Sequence, residues 1–326
     1  MKRLLSGGLI AYWLLISPLT AAKEIRLKFF IISHGGAADP FWAVVRKGME
    51  DAAKILSQRP DLKVEAIYYG PTVASPAEVV KLLDMALAAK PDGLAVTITD
   101  AQVVDEALRR IISAGIPIIA INVPDPRSPS EKIPYLCYVG GDEYLGGVKA
   151  AEKFLEIAKT QKIQIKRALV APQEVGHVGL ETRAKGFLDI MKSKGIPADK
   201  IQIFGEDPTK SVEILRSYFV TYPETNVIFT LGPMGTLAAM TFLTERGLAG
   251  KVLHGTYDLD AVTIEAIKRG LTSFAIVQQP YLQGYLPITF LTLYKLYGLM
   301  PINDILTGPM LVDKKNIDQM EKFIFK

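Results

Sequence analysis

The residues best suited to chemistry gather first in one short loop. Between the apolar run Phe29–Ile32 and a helical stripe ending at Leu56 lie Ser33, His34, Gly35, Gly36, Asp39 and the pair Phe41-Trp42. Phe29–Ile32 reads as a strand buried on both faces of a parallel sheet. Asp39-Pro40 supplies an N-cap and a first-turn proline, so a helix starts there. The cluster therefore sits at the carboxyl end of a strand, where open α/β sheets bind ligands. Capping by Asp39 and core packing by Phe41 account for those residues singly. Rings beside hydrogen-bonding side chains point instead to a binding loop. Further polar residues stand at later strand ends: Thr97 and Asp100, Asn122, Asp258 and Gln278. Asp100 directly precedes a helix and reads as its cap, and capping is the simplest role for Asp258 too. Arg183 shares an inward helical stripe with Leu180, Ala184, Phe187, Leu188 and Met191, where an arginine must be paired or point into a cleft.

These groups do not compose a known catalytic signature. The chain has no Gly-x-Gly-x-x-Gly after the first strand, no Gly-x-x-x-x-Gly-Lys phosphate loop and no Gly-x-Ser-x-Gly elbow. His34, His177 and His254 are far apart in the chain and show no metal-ligand spacing, so no metal or other cofactor is expected. Cys137 is the sole cysteine and reads as a buried, inert thiol.

Strand-like and helix-like segments alternate along the chain. Strands are predicted at Val64–Tyr68, Gly93–Thr97, Ile116–Ile121, Tyr135–Val139, Arg167–Ala171, Ile201–Phe204, Asn226–Thr230, Val252–Gly255, Ser273–Val277 and Met310–Val312. Ser75-Pro76-Ala77-Glu78 has the form of a capping box. Val123–Ile133, with three prolines and no periodicity, reads as a loop or lid. Repeated βα units with short connections imply α/β architecture: two doubly wound parallel sheets of similar size in tandem, facing across a cleft.

Lys2-Arg3, the apolar run Leu4–Ile16 and Pro18-Leu19-Thr20-Ala21-Ala22 have the form of a secretory signal over residues 1–22, which predicts export. Without Lys2 and Arg3, the 38 Lys+Arg fall to 36 against 34 Asp+Glu, a formal charge of +2. No long basic run marks a nucleic-acid surface.

Several motifs in order then carry a family likeness: Asp39-Pro40-Phe41-Trp42, Gly115-Ile116-Pro117-Ile118, Asp142 with Gly146, Arg183 with Gly186-Phe187, Thr256-Tyr257-Asp258 and Gln278-Gln279-Pro280. Through them the chain resembles the periplasmic sugar-binding proteins of the ribose/galactose type, the receptors of ABC importers. The resemblance implies two Rossmann-like lobes exchanged by three crossovers, the first about 23–141 plus 279–308 and the second about 142–278 plus 309–326. It implies a non-enzymatic periplasmic receptor that closes on a small sugar or polyol and delivers it to a membrane permease, or serves a chemoreceptor or sensor kinase. A secreted sugar-modifying enzyme is the less favoured alternative. A sugar-responsive repressor would need a helix-turn-helix where this chain has its signal.

Adjacent hydroxyls call for acids, amides and guanidinium, and C–H faces call for rings. The implied ligand set is His34, Asp39, Phe41, Trp42, Thr97, Asp100, Asn122, Arg183, Asp258 and Gln278. The family usually has Asn-Asp after the strand ending at Thr230, whereas this chain has Leu231-Gly232-Pro233-Met234. Ribose is therefore not singled out; hexose, inositol, deoxy-sugar or furanone ligands fit as easily. On this reading Arg183→Ala abolishes binding and leaves the fold nearly intact.

Overall fold

The computed structural model describes residues 24–35, 39–71 and 75–324. The signal predicted over 1–22, and Gly36 of the first loop, lie outside the described residues. β1 (Ile25–Ile32) pairs in parallel with β2 (Leu62–Tyr69) and β3 (Gly93–Val96). β4 (Ile118–Ile121), β5 (Tyr138–Gly141) and β11 (Ile305–Gly308) complete a sheet of order β11-β5-β4-β3-β1-β2. A second sheet repeats the plan. It comprises β6 (Ala168–Ala171), β7 (Ala198–Lys200), β8 (Val227–Thr230), β9 (Leu253–Tyr257), β10 (Phe274–Val277) and β12 (Met310–Asp313), in the order β12-β10-β9-β8-β6-β7. Among the described residues, only the β10–β12 pair is antiparallel. The chain passes between the sheets three times, after β5, β10 and β11.

The two-residue period of β1 explains its place. Phe29 and Ile31 pack on one face with Met49, Ala52 and Leu291, while Phe30 and Ile32 pack on the other with Val79, Leu83 and Leu94. Helices α1 (Pro40–Leu56) and α9 (Pro280–Tyr297) cover the first face, and α2 (Pro76–Ala89) and α3 (Ala101–Ser113) the second. α4 (Glu143–Gln161) and α5 (Val178–Ser193) pack on one face of the second sheet, with Phe154 and Phe187 edge to face. α6 (Pro208–Thr221) and α7 (Pro233–Glu245) pack on the other face, followed by α8 (Ala261–Lys268) and α10 (Ile317–Ile324).

Glycines set the closest helix crossings. A Cβ on Gly48 of α1 would overlap the carbonyl of Tyr281, and one on Gly284 of α9 that of Val45. In the second half, Gly147 of α4 meets the carbonyl of Arg183, and Gly186 of α5 that of Tyr144. The α4–α5 contact thus fixes where Arg183 starts.

Several local expectations change. The strand predicted at Tyr135–Val139 forms at Tyr138–Gly141, because Tyr135 turns back to bond the Ile133 carbonyl after Pro134. The strand predicted at Ile201–Phe204 forms at Ala198–Lys200; Ile201 and Ile203 still donate to Val170 and Pro172, but the segment lies at the sheet's edge. β11, a half-exposed edge strand, was not predicted. Ser75 is an N-cap in backbone conformation only: its hydroxyl makes no cap bond, and Glu78 pairs with Lys81 instead of reaching back.

Candidate functional site

The carboxyl ends of the two sheets face each other across a gap of about 450 Å³, counting its solvent-facing mouth. Each side chain there is held by an identifiable local feature. Asp39 caps α1, its carboxylate accepting the Phe41 N–H at 2.8 Å. The next two residues on the helix, Phe41 and Trp42, are buried and meet edge to face at 4.9 Å. Trp42 in turn lies edge-on to His34, with ring centroids 5.0 Å apart.

Asn122 and Asp258 end β4 and β9 in the left-handed region, φ 62° and 60°. Such backbone is uncommon outside glycine and clusters at ligand sites. Asn122 donates to Gln278 Oε1 at 3.0 Å and to Gln283 Oε1 at 3.2 Å, and Gln278 Nε2 donates to Asp258 Oδ2 at 2.7 Å. This chain of amides and acid runs along the β10 crossover, so Gln278 both lines the gap and bonds at the crossover.

Arg183 is both paired and turned to the gap. Its guanidinium bonds both carboxylate oxygens of Glu143, the first residue of α4, and donates to the Leu231 carbonyl at 2.9 Å. It lies 3.8 Å over the Tyr257 ring. Burial pushes Glu143 upward and Arg183 pulls it back, leaving it somewhat raised. The arginine cannot give up its proton, so the pair stays ionic.

Eight of the ten implied residues line this gap: His34, Asp39, Phe41, Trp42, Asn122, Arg183, Asp258 and Gln278. Thr97 stands behind His34, its hydroxyl 3.1 Å from Nδ1. Asp100 does not line the gap; its carboxylate accepts the Gln102 and Val103 N–H groups as the cap of α3.

Other residues of the gap escape a reading from sequence. Gln173 and Glu174 follow β6, and Gln173 Oε1 is buried without a partner. Glu174 is raised to about 7, first by burial and then by Asp39. Asp258 is raised to about 6 by burial, against the pull of Arg183. Two polar residues after a buried strand are a positional signal, but one that other strand-end loops of this chain share. Leu231, Gly232, Pro233 and Met234 form an apolar wall.

Two of the histidines, far apart in the chain, meet in the folded protein. His34 and His177, 143 residues apart, bring their Nε2 atoms to 3.2 Å across the gap. With Glu174 they place three potential ligand atoms within 4.8 Å of one another. His254 lies apart, buried among Thr230 and Thr272 in the second sheet. Cys137 is buried as expected. A larger open groove between α7 and α8 shares no residue with the gap and is mostly apolar.

Comparison with known proteins matches residues 29–295 to the model of the periplasmic binding protein domain. The chain is 27% identical over 307 residues, 91% of its length and 70% of the relative's, to a xylose/arabinose-binding protein of Sulfolobus acidocaldarius. Its structure is similar to that of an ABC sugar transporter periplasmic sugar-binding protein from Legionella pneumophila, with TM-score 0.78 and 31% identity, covering 87% of this chain and all of that one. It is also similar to a carbohydrate transporter from Acidothermus cellulolyticus solved with myo-inositol, with TM-score 0.79 and 27% identity, covering 92% and 98%. With two crossed-over parallel sheets, a polar gap at their strand ends and a family match over most of its length, this chain belongs to the periplasmic binding protein domain family.

Proposed function

We propose that the protein is the extracytoplasmic receptor of an ABC importer, capturing one small sugar or polyol between its sheets and presenting the closed form to a membrane permease. One observation carries this reading. A single gap gathers Asp39, Asn122, Arg183 and Asp258 from both sheets beside the rings of Phe41 and Trp42. Acids, amide and guanidinium pair vicinal hydroxyls, while the rings cover C–H surface. Each charge-assisted bond contributes roughly 1.5–3 kcal/mol. The unpartnered Gln173 Oε1 offers one more acceptor. The three crossovers supply the hinge.

The relatives' ligands, xylose or arabinose and myo-inositol, support a neutral ring of five or six carbons. The apolar wall at Leu231–Met234 lacks a side-chain partner for a hydroxyl directed at it. Capture without turnover and a periplasmic location of the protein are part of the same proposal, with the leader over 1–22 directing export.

A thermal-shift and calorimetric screen of L-arabinose, D-xylose, D-ribose, D-galactose and myo-inositol tests it. Binding of one sugar at one site, unchanged in composition on recovery, is the expected result. Chemical conversion of the sugar, or silence across the panel, refutes it.

A further inference from the structure

The His34–His177 contact has a direction that its hydrogen bonds dictate. Nδ1 of His177 receives two backbone N–H groups, from Gly179 at 3.1 Å and Leu180 at 3.3 Å, because His177 is the N-cap of α5. That nitrogen must carry a lone pair, so the proton of the neutral ring sits on Nε2. His34 Nε2, 3.2 Å away, then has to accept, which puts the His34 proton on Nδ1, facing the Thr97 hydroxyl at 3.1 Å. The chain runs one way: α5 amides to His177, His177 to His34, His34 to Thr97. It joins the two sheets directly across the gap. It also argues against a cation at the His34–Glu174–His177 trio, because His177 has no free lone pair toward the other two while it caps α5.

We propose that His34 and His177 form a one-way hydrogen-bond relay that latches the two halves only while both rings are neutral, and that a single hydroxyl of a bound polyol replaces the direct contact. The second half rests on the polyol reading above. A hydroxyl is the group that fits: it accepts from His177 Nε2–H and donates to His34 Nε2. An ether oxygen or a deoxy position satisfies one ring or neither.

The surroundings hold both rings neutral. Burial foremost, then His34 and Arg183, oppose an imidazolium at His177, and the amino end of α5 adds to them. Burial foremost, and Arg183 second, lower His34 to about 3. Trp42 covers His34 edge-on and contributes no charge. Opening hydrates the rings and returns them toward the ordinary histidine value near 6.5. Closure therefore holds above that value and is lost as pH falls below it. The carboxyls around the gap, Asp39, Glu174 and Asp258, are raised by burial and act with the opposite sign, favouring closure as pH falls.

The test begins without sugar. Long-range nitrogen–proton correlation spectra near pH 7 should place the ring protons on His177 Nε2 and His34 Nδ1, with neither ring charged. A proton on His177 Nδ1, a charged ring, or zinc ions added at equimolar ratio binding both Nε2 atoms overturns the relay. Small-angle scattering should show the wild type expanding on acidification to about pH 5. His177→Asn keeps a capping side chain but loses the bridge, and should be expanded at both pH values; a compact His177→Asn protein overturns the latch. With L-arabinose as probe, wild-type affinity should fall as pH drops below about 6. The fall should be less than the roughly tenfold per pH unit that each ring alone would give, because the raised carboxyls oppose it. His34→Gln, which keeps an acceptor but does not titrate, should have a shallower slope. An identical slope in the two proteins overturns the relay. If L-arabinose binds at no pH, the sugar of the panel that does bind replaces it as probe; if none binds, the sugar reading fails, and the spectra and scattering alone decide the relay.

Discussion

Replacing Arg183 by alanine should unsettle the fold as well as the site. The side chains of Arg183 and Glu143 are 4% and 5% exposed, so the carboxylate has almost no water to fall back on. Removing one member of a buried ion pair leaves an uncompensated charge, which costs about 3–5 kcal/mol. The Leu231 carbonyl loses a donor and the Tyr257 ring its cation in the same step. At about 2 °C per kcal/mol for a chain of this size, the melting temperature should fall by roughly 6–10 °C. This replaces the expectation from sequence that the fold stays nearly intact.

The linkage has a definite sign. Without Arg183 nothing from that side pulls against burial, so the Glu143 carboxyl lies further above its unfolded value than it does in the pair. A raised group stabilises at low pH and loses that contribution as pH rises through its folded value. The deficit of Arg183→Ala should therefore be larger at pH 8 than at pH 5. Adding Glu143→Gln should recover about 2 kcal/mol, because the buried charge is gone while an amide remains. Chemical denaturation of the four proteins, wild type, each single variant and the double, reads both effects. A single Arg183→Ala variant within about 1 kcal/mol of wild type near neutral pH, or a double variant no more stable than Arg183→Ala, refutes the buried pair as drawn.

Three further outcomes follow from the same geometry. Trp42→Ala should weaken sugar binding by about 1–3 kcal/mol in calorimetric titration through loss of apolar cover; unchanged affinity returns Trp42 to packing alone. Gly48→Ala should destabilise by about 1–3 kcal/mol, since its methyl meets the Tyr281 carbonyl where α1 crosses α9, and a neutral melting curve would contradict that crossing. Asp258, raised from 3.8 to about 6, contributes stability present below about pH 4 that is lost as pH rises through 6, a change of about 3 kcal/mol. Asp258→Asn should flatten that part of the stability profile, and urea midpoints across the window check it.

The sequence alone determined the layered α/β plan, because buried parallel strands such as Phe29–Ile32 and striped helices such as the one after Asp39 announce themselves by period and cap. It also picked out Asp39, Phe41, Trp42, Asn122, Arg183, Asp258 and Gln278, whose positions at strand ends and on an inward helix face are local properties, read together through a family pattern. Tertiary structure decided which of these share a gap and what each is bonded to. Asp100 and Asp39 look alike in sequence, both caps after a strand, yet only Asp39 lines the gap. The Arg183–Glu143 pair depends on α4 and α5 crossing at Gly147, and the meeting of His34 with His177 depends on two sheets facing each other. Contacts of that kind join residues 40 and 143 positions apart, and no local period encodes them, because they are set by how whole elements pack.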